Sequence, residues 1–368
     1  MEVELTGILE DDVRTLVIEI LNGTQESLPR VTSTIARLAR TGVEERTSLF
    51  EGEALGALST LCTKDNEIKI QVHAAYAISA LASNFTSTMD ENRVYAYGDV
   101  QTEALQLKLV HTLTSSLTSW HPELQAAAAD ALASLCYRNT EVRREMGRLD
   151  ACRLLVNLLY SQHVDVHKAA LCALRAYCVD PARAQEIEQR ECLSQVCKLA
   201  RSDKDDVIFR ALSLAWMLAG VDSIKEKLAS EETGGFLKHV VLLLRSNNRH
   251  VKSMAAILLR KLSLIRENAK KVFDEGAHTE LVSVLFDTDD TTKVNVVGCL
   301  HLLCSERRQR ETIATNQDLT EFLSTTRHVQ RREGKAKPSS ALVSSSKKLF
   351  DLLFPSKEEE GEDRFSLR

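Results

Sequence analysis

The sequence predicts an all-α protein in which similar helices stack side by side as an α-solenoid. One observation behind this prediction is an alanine-rich helical pattern that recurs with a period near 42 residues. A second is the scarcity of turn-forming residues, since the 368 residues include only 14 glycines and 5 prolines, against usual shares of about 7% and 5%. Because glycine and proline punctuate tight turns, this scarcity favours long helices over strand-rich folds.

Six strong copies of the alanine-rich pattern align without gaps, beginning at Ile70, Leu124, Val166, Val207, Val251 and Val294. A weaker copy, VTSTIARLAR, begins at Val31, which makes about seven units. The fifth position of each strong copy is alanine or glycine and the ninth is apolar, and residues four apart lie on one face of a helix. Each copy therefore predicts a core helix that buries its apolar face only by stacking on its neighbours.

A second pattern lies between the core helices and consists of a short polar helix, a glycine or acidic turn, and a leucine-rich helix. At residues 268–285 it reads N-x-x-x-V-x-x-E-G-A-x-x-x-L-V-x-V-L, which resembles the armadillo repeat. The resemblance covers roughly residues 30–325 and implies a right-handed α-solenoid with three helices in each repeat. The related HEAT repeat fits less well, because its units have two helices. Such a fold specifies architecture and says little about function.

The predicted domain organisation has four parts: an N-terminal helical cap (1–28), the armadillo-like solenoid (29–326), a basic serine-rich linker (327–346), and a short apolar helix with an acidic tail (347–368). The interval between the copies at Ile70 and Leu124 is 12 residues longer than the next interval, and we assign the surplus to an insertion at 83–104. Two interpretations are open for the apolar LFDLLF stretch near the end. It docks into the groove of a partner, or it covers the exposed end of the last repeat.

No motif in the sequence indicates catalysis, a cofactor or a metal. The hydrolase, phosphate-binding, dinucleotide-binding and zinc-protease signatures are all missing from it. His163 and His167 have the spacing of one helical face, but the repeat register places His163 in a turn and His167 near the start of a core helix. Cys172 and Cys178 lie far along that helix, so the four side chains do not converge on one ion. We therefore predict a non-enzymatic protein that takes no cofactor, no metal and no small-molecule substrate.

The net charge and the cysteine content indicate which cellular compartment and which classes of partner to expect. The sequence contains no run of 18 or more apolar residues, so it predicts no membrane span. Its N-terminal stretch does not resemble a signal peptide. Nine cysteines without a regular framework predict reduced thiols, and hence a cytoplasmic protein with the nucleus as a second compartment. The net charge of −5 and the lack of a regular set of base-reading side chains argue against binding to nucleic acid.

The family resemblance also bears on the binding surface, because the third helix of each armadillo repeat lines a concave groove. Members that grip extended peptides carry asparagine at the eleventh position of the core-helix pattern. This chain has none there; its eleventh residues are Ala80, Ser134, Ala176, Met217, Lys261 and Cys304. We therefore do not expect the generic recognition of an extended peptide, in which such amides pair with the peptide backbone.

Four other residues form the predicted partner-binding site, because they occupy the tenth and eleventh positions of three successive core helices: Arg175, Trp216, Arg260 and Lys261. An aromatic ring flanked by cations has the composition of a hot spot for a folded, acidic protein partner. The alternative is that Trp216 packs between repeats and the charges are ordinary solvated groups. Tyr95 and Tyr97, in the insertion, are predicted as further contacts on an exposed loop or short extra helix. Trp120 is interpreted as a packing residue at a turn.

A sharper hypothesis for the partner comes from residues 233–265. Gly235-Phe236 followed by the V-K-S-x-A pattern from Val251 is similar to a stretch in the armadillo-type nucleotide-exchange factors of the seventy-kilodalton heat-shock chaperones. That likeness covers one repeat and implies a co-chaperone that binds such a chaperone. The leading prediction is a protein–protein interaction scaffold or adaptor, with the co-chaperone as the alternative and a nucleic-acid-binding helical repeat third.

Overall fold

The computed structural model describes residues 10–83, 95–327 and 338–355, and every regular element in these ranges is helical. In the first of two units, which ends at Cys192, the helices are α1 (Glu10–Asn22), α2 (Leu28–Thr41), α3 (Val43–Glu51), α4 (Ala54–Leu61), α5 (Ile68–Leu81), α6 (Tyr95–Gln106), α7 (Leu109–Ser116), α8 (Pro122–Cys136), α9 (Thr140–Arg148), α10 (Ala151–Leu158), α11 (Val164–Tyr177) and α12 (Pro181–Gln189).

The second unit contains the remaining helices. They are α13 (Cys192–Leu199), α14 (Asp205–Leu218), α15 (Asp222–Leu228), α16 (Phe236–Leu242), α17 (Arg249–Leu262), α18 (Arg266–Asp274), α19 (Ala277–Val284), α20 (Asp290–Leu303), α21 (Arg307–Ala314), α22 (Gln317–Arg327) and α23 (Ser340–Leu353). None of the helices in the described ranges is both long and apolar enough to cross a membrane.

The helices follow in chain order as short, short, long, after an initial pair α1 and α2. The long helices, with 14 or 15 residues each, are α2, α5, α8, α11, α14, α17, α20 and α23. In the first unit α2 packs on α5, α5 on α8 and α8 on α11; in the second α14 packs on α17, α17 on α20 and α20 on α23. The predicted all-α solenoid with three helices per repeat is confirmed.

Small residues at the fifth position of the pattern allow this close stacking. The five alanines at that position have no exposed surface: Ala74, Ala128, Ala170, Ala211 and Ala255. A methyl side chain leaves the backbone of the neighbouring helix free to approach, while leucines and isoleucines four residues later fill the space between helices. Leu132, Leu174 and Leu259 are also fully buried, and replacing one by alanine costs about 2–5 kcal/mol in cores of this kind.

The last strong copy of the pattern has a different register from the predicted one. Its first position is Thr292 and not Val294, because Thr292 and Val296 are buried at the positions that Val251 and Ala255 hold in α17. Val296, a branched residue, therefore fills the position that alanine fills elsewhere, and the small residue that guided the alignment, Gly298, lies two positions further along the helix. The eleventh position of α20 becomes Leu302, which is again not asparagine.

The serine-rich linker was predicted at 327–346, but residues 340–346 are helical and belong to α23. The helix begins after Ser339, whose hydroxyl accepts a hydrogen bond from the Leu342 amide at 3.3 Å. Its buried residues are Leu342, Ser346, Leu349 and Leu353, a helical spacing that the serines hid in the sequence. α23 packs on α20 and α22, so it acts as an eighth long helix, and the LFDLLF stretch covers the last repeat.

The insertion was predicted at 83–104, yet its second half is the regular first helix of a repeat. α6 packs against α7 and α8, and its Val100, Gln101 and Ala104 are buried. The Gln101 amide donates to the Tyr137 carbonyl at 2.9 Å and accepts from the Asn139 amide at 2.8 Å. The boundary at 104 is therefore wrong, because burial at positions 100 and 104 marks a packed helical face. Residues 84–94 lie outside the described residues.

Candidate protein-binding surface

Three of the predicted partner-binding residues lie together on one face of the long helices of the second unit. These helices run parallel, because contacts join equivalent ends of neighbours. At the starting ends the Asn248 amide donates to the Asp205 carboxylate at 2.9 Å, and at the finishing ends the Lys261 ammonium lies over the Trp216 ring. We call Trp216, Arg260, Lys261, His301 and Lys348 the cationic row. The first four lie near the finishing ends of α14, α17 and α20, and Lys348 lies about one turn before the end of α23, where Asp351 holds the equivalent tenth position.

Trp216 and Lys261 form a cation–π pair between neighbouring helices. The Lys261 Nζ atom is 4.1 Å from the centroid of the Trp216 ring, and both side chains are half-buried. An ammonium at this distance over a tryptophan face gains about 0.5–1 kcal/mol where it is exposed and up to about 2 kcal/mol where water is excluded. The indole ring is thus partly buried between the helices and partly exposed, and it contacts the Lys261 ammonium.

Arg260 is held in place by residues of the next long helix. Its Nη1 atom donates to the Asn295 side-chain oxygen at 2.7 Å, and the Asn295 amide group in turn donates to the Thr291 carbonyl at 2.9 Å, which fixes the orientation of the amide. The guanidinium passes directly over Gly298, where an added Cβ would lie 2.7 Å from the Arg260 Nε atom. Gly298 therefore makes room for this side chain, while Asn295 orients it without neutralising its charge.

His301 and Lys348 extend the row along α20 and α23. Partial burial lowers the pKa of His301 below its usual value, and the nearby charge of Lys348 lowers it further. The imidazole is therefore neutral near pH 7, and the row presents three positive charges around one neutral donor or acceptor. Neither residue was predicted from the sequence, because the register of α20 was displaced by two positions and α23 was not identified as a long helix.

The other predicted contact residues lie elsewhere in the chain. Arg175 is half-buried at the tenth position of α11 in the first unit, on a long-helix face that also carries Lys168 and Cys172. Tyr95 and Tyr97 fall in the first turn of α6, and their side chains lie outside the described residues.

Trp120 departs from its sequence interpretation. Its side chain is 97% exposed, so the interpretation as a packing residue is wrong. The residue sits in the turn between α7 and α8, where Ser119 accepts a hydrogen bond from the His121 amide, and no helix in the described ranges covers the indole.

The cysteines behave as small apolar core residues. All nine are free thiols, and only Cys172 is not buried. Burial raises the pKa of Cys62, Cys136 and Cys299 to about 12, so these thiols stay protonated and are poor nucleophiles and ligands. Within the part of the chain that the structure describes, no group of three or more histidine, cysteine, aspartate and glutamate side chains is placed to hold a metal.

His163 and His167 also serve the fold. His163 directly precedes α11 as its N-terminal cap residue. The Nε2 atom of His167 lies 2.6 Å from the Ser161 carbonyl oxygen, so this ring ties the start of α11 to the preceding turn.

The stretch that resembles the nucleotide-exchange factors is explained largely by the fold. Gly235 has a φ of +73° at the N-terminus of α16, a conformation that glycine adopts without strain. Phe236 is fully buried. Lys252 of α17 pairs with Asp287, which lies in the turn before α20. The chaperone likeness therefore stays a prediction, since these matched residues have structural roles in this chain.

Known proteins share this repeat and this architecture. Residues 139–178 match the family model of the armadillo/beta-catenin-like repeat. Catenin delta-1 of Xenopus laevis is 30% identical over 111 residues, which are 28% of this chain and 13% of the catenin. The chain thus spans a small part of that relative.

Solved structures of engineered proteins extend the likeness in fold over most of the chain. An engineered protein of the Northeast Structural Genomics Consortium has a TM-score of 0.65 at 21% identity, covering 93% of this chain and 88% of that one. A designed armadillo repeat protein in complex with the peptide (KR)4 has a TM-score of 0.56 at 22% identity, covering 68% of this chain and 99% of that one.

The matched segment 139–178 coincides with a complete repeat of this structure. Helices α9, α10 and α11 run from Thr140 to Tyr177, so the family match and the observed three-helix unit have the same bounds. The same order of short, short and long helices recurs through both units. The chain thus contains a repeat that matches the armadillo/beta-catenin-like model at residues 139–178, within a fold similar to that of designed armadillo repeat proteins.

Proposed function

We propose that this chain is a non-enzymatic scaffold that binds an acidic segment of a folded protein partner on the cationic row. The observation that carries the proposal is the row itself: a half-buried tryptophan, a lysine over its ring, and an arginine aimed by Asn295. The armadillo fold supports a binding role, since a designed member is known in complex with the peptide (KR)4. That peptide is basic, whereas the row here is basic itself, so the partner segment should carry the opposite charge.

The chemistry of the row suits a carboxylate-rich ligand with an apolar residue. A guanidinium forms two parallel hydrogen bonds with a carboxylate, and Arg260 is pre-oriented, so it loses little side-chain entropy on binding. Trp216 offers apolar area beside the charges, the composition typical of binding hot spots. Arg175, Tyr95 and Tyr97, which belong to the first unit, stay predicted as partner contacts.

The test compares two fluorescein-labelled peptides, (DE)4 and (KR)4, by fluorescence anisotropy with the full chain. We expect (DE)4 to bind more tightly. Replacing Arg260→Glu together with Lys261→Glu should weaken its binding about 10- to 100-fold, because two partly solvated ion pairs of up to about 1 kcal/mol each are lost and repulsion replaces them.

The matched control carries the same charge change on a short helix of the same unit. Arg266→Glu with Lys271→Glu alters two exposed residues of α18 and should leave the affinity within about twofold, as expected for surface sites outside the interface. Equal loss in both double variants would show non-specific attraction by net charge and would contradict the proposal. Preference for (KR)4 would contradict it as well.

We also propose that the chain works in the cytoplasm, with the nucleus as a second compartment. Nine free thiols support a reducing environment. Fractionation of cells that express a tagged chain tests the compartment, and recovery in an oxidising compartment would refute it.

A further inference from the structure

An acidic stretch of this same chain follows the last helix of the unit that holds the cationic row. After Pro355 the sequence continues as SKEEEGEDRFSLR, residues 356–368, which lie outside the described residues. We call them the acidic segment. Five carboxylates fall within residues 358–363, with Lys357 before them and Phe365 shortly after. The segment thus combines the two properties, a carboxylate run and a nearby apolar side chain, that the row selects.

The segment starts within reach of the row. α23 packs on α20, α20 on α17, and α17 on α14, and packed helices lie about 8–10 Å apart. Arg260 on α17 is therefore about 20 Å from α23, and Trp216 on α14 about 30 Å. Because the long helices are parallel, α23 finishes at the same end as these residues, and the segment begins at that end.

The sequence order of the segment, carboxylates first and Phe365 after them, is compatible with the order of groups along the row. An extended chain advances about 3.3 Å per residue, so residues 358–363 span roughly 10–26 Å from Pro355. The segment is therefore long enough for these carboxylates to reach His301, Arg260 and Lys261. Phe365 is ten residues from Pro355, a reach of up to about 33 Å, which is enough for Trp216. The face of α23 also carries Asp351, an exposed carboxylate, but the carboxylates of the segment begin only after Lys357 and beyond that helix.

We propose that the acidic segment docks on the cationic row of its own chain and competes there with the acidic partner. This inference rests on the proposed function, because it assigns an internal competitor to the same site. Single exposed ion pairs are weak, but a tethered ligand acts at an effective concentration in the millimolar range. Weak contacts are then sufficient to keep the row mostly occupied, and a partner must displace the segment.

The first experiment measures (DE)4 binding to the full chain after neutralising the segment: Glu358→Gln, Glu359→Gln, Glu360→Gln, Glu362→Gln and Asp363→Asn. We expect binding about tenfold tighter than in the wild type, because apparent affinity falls with the fraction of open sites. The control removes five exposed carboxylates from short helices and turns of the same unit: Glu226→Gln, Glu231→Gln, Glu232→Gln, Asp274→Asn and Glu275→Gln. It should bind like the wild type.

The outcomes separate the two proposals. Tighter binding in the neutralised chain that is lost again on Arg260→Glu with Lys261→Glu supports both. The docking of the segment is overturned if the neutralised and wild-type chains bind (DE)4 with equal affinity. If both then lose this affinity on Arg260→Glu with Lys261→Glu, the proposed function still holds. Tighter binding in the control as well would trace the gain to net charge and would also overturn the docking.

A second experiment does not depend on any peptide. A carbodiimide joins carboxylates to lysine amines in contact, and digestion with mass spectrometry identifies the pairs. We expect a link between Lys261 and residues 358–363 within one copy, shown with a mixture of isotope-labelled and unlabelled chains. If this link is absent, or if links form only between copies, the docking of the segment is overturned, whatever the result of the (DE)4 measurements. If neither the wild-type nor the neutralised chain binds (DE)4, the proposed function fails independently of the crosslinking result.

Discussion

At the scale of single residues, Gly298 links helix stability to the binding surface. Glycine in a helix costs about 1 kcal/mol relative to alanine, yet here it leaves room for the Arg260 guanidinium. Gly298→Ala should therefore raise helix propensity while displacing a flexible side-chain end, so that the free energy of unfolding stays equal or rises by up to about 1 kcal/mol. Binding of (DE)4 should fall severalfold, because Arg260 loses its hydrogen bond to Asn295.

Urea denaturation and fluorescence anisotropy check these two expectations on the same sample. Asn295→Ala serves as the companion variant, since it removes the oxygen that orients Arg260 without adding a methyl group above Gly298. It should lower binding to a similar extent. If Gly298→Ala destabilised the protein by several kcal/mol, or left the affinity unchanged, the role assigned to Gly298 would be wrong.

Ser346 allows a second prediction, at the scale of the element it belongs to. It fills the small fifth position of α23 with no exposed surface, and among the described residues its hydroxyl has no hydrogen-bond partner. A buried polar group without a partner costs about 1–3 kcal/mol. Ser346→Ala should therefore stabilise the docking of α23 by about 1 kcal/mol and increase the hydrogen-exchange protection of that helix.

Ser344→Ala is the matched control, since Ser344 lies on the same helix and is exposed. It should change protection by no more than a few tenths of a kcal/mol. Lower protection in Ser346→Ala would mean that the hydroxyl has a stabilising role, and it would refute this account of the eighth long helix.

The elements also show how far the sequence leads. Five long helices were predictable because alanine at the fifth position and an apolar residue at the ninth repeat with helical spacing, and α2 and α20 followed as a weaker and a displaced copy of the same pattern. α23 escaped because serine, a polar residue, takes the small position at Ser346. The register of α20 was wrong because Val296 is large where alanine is usual, and Gly298 was taken for the stacking residue.

The candidate site was predictable only in part, for a related reason. Trp216, Arg260 and Lys261 stand at fixed positions of correctly aligned helices, so their shared face followed from the repeat. The remaining site residues interact with side chains of a neighbouring long helix: Asn295, His301 and Lys348. The periodicity within one helix does not reveal such contacts between helices. Trp120 illustrates the converse: an aromatic residue at a turn suggests packing, but whether a helix covers it depends on the tertiary structure.

At the scale of the whole molecule, the pH dependence of stability should set the second unit apart. Burial lowers the pKa of three histidines there, His239, His278 and His301. The ring of His278 stacks on Phe273 with centroids 4.4 Å apart, and its Nδ1 atom is buried without a partner among the described residues. Protonation would place a positive charge at this half-buried position, where a hydrogen bond with the backbone of Phe273 offsets the cost of burial only in part.

The direction of the effect follows from proton binding. A histidine whose pKa is lowered in the folded state binds protons more readily when the chain is unfolded. Its contribution to the free energy of unfolding is therefore complete above the pKa of the unfolded state, near 6.5, and is lost as the pH falls through the pKa of the folded state. Carboxylates such as Asp287 and Asp289, whose pKa is also lowered, lose their contribution only at lower pH, below about 4. The interval from pH 6.5 to 5 therefore reports the histidines.

Hydrogen exchange at several pH values tests this expectation, with protection factors that correct for the intrinsic pH dependence of exchange. Protection of α16 and α19 should decrease between pH 7 and 5. His278→Phe keeps the ring stack on Phe273 but removes the titrating nitrogen, so the decrease in α19 should become smaller than in the wild type. An unchanged decrease in the variant would contradict the assignment to His278, and increased protection at pH 5 would contradict the sign of the effect for the whole unit.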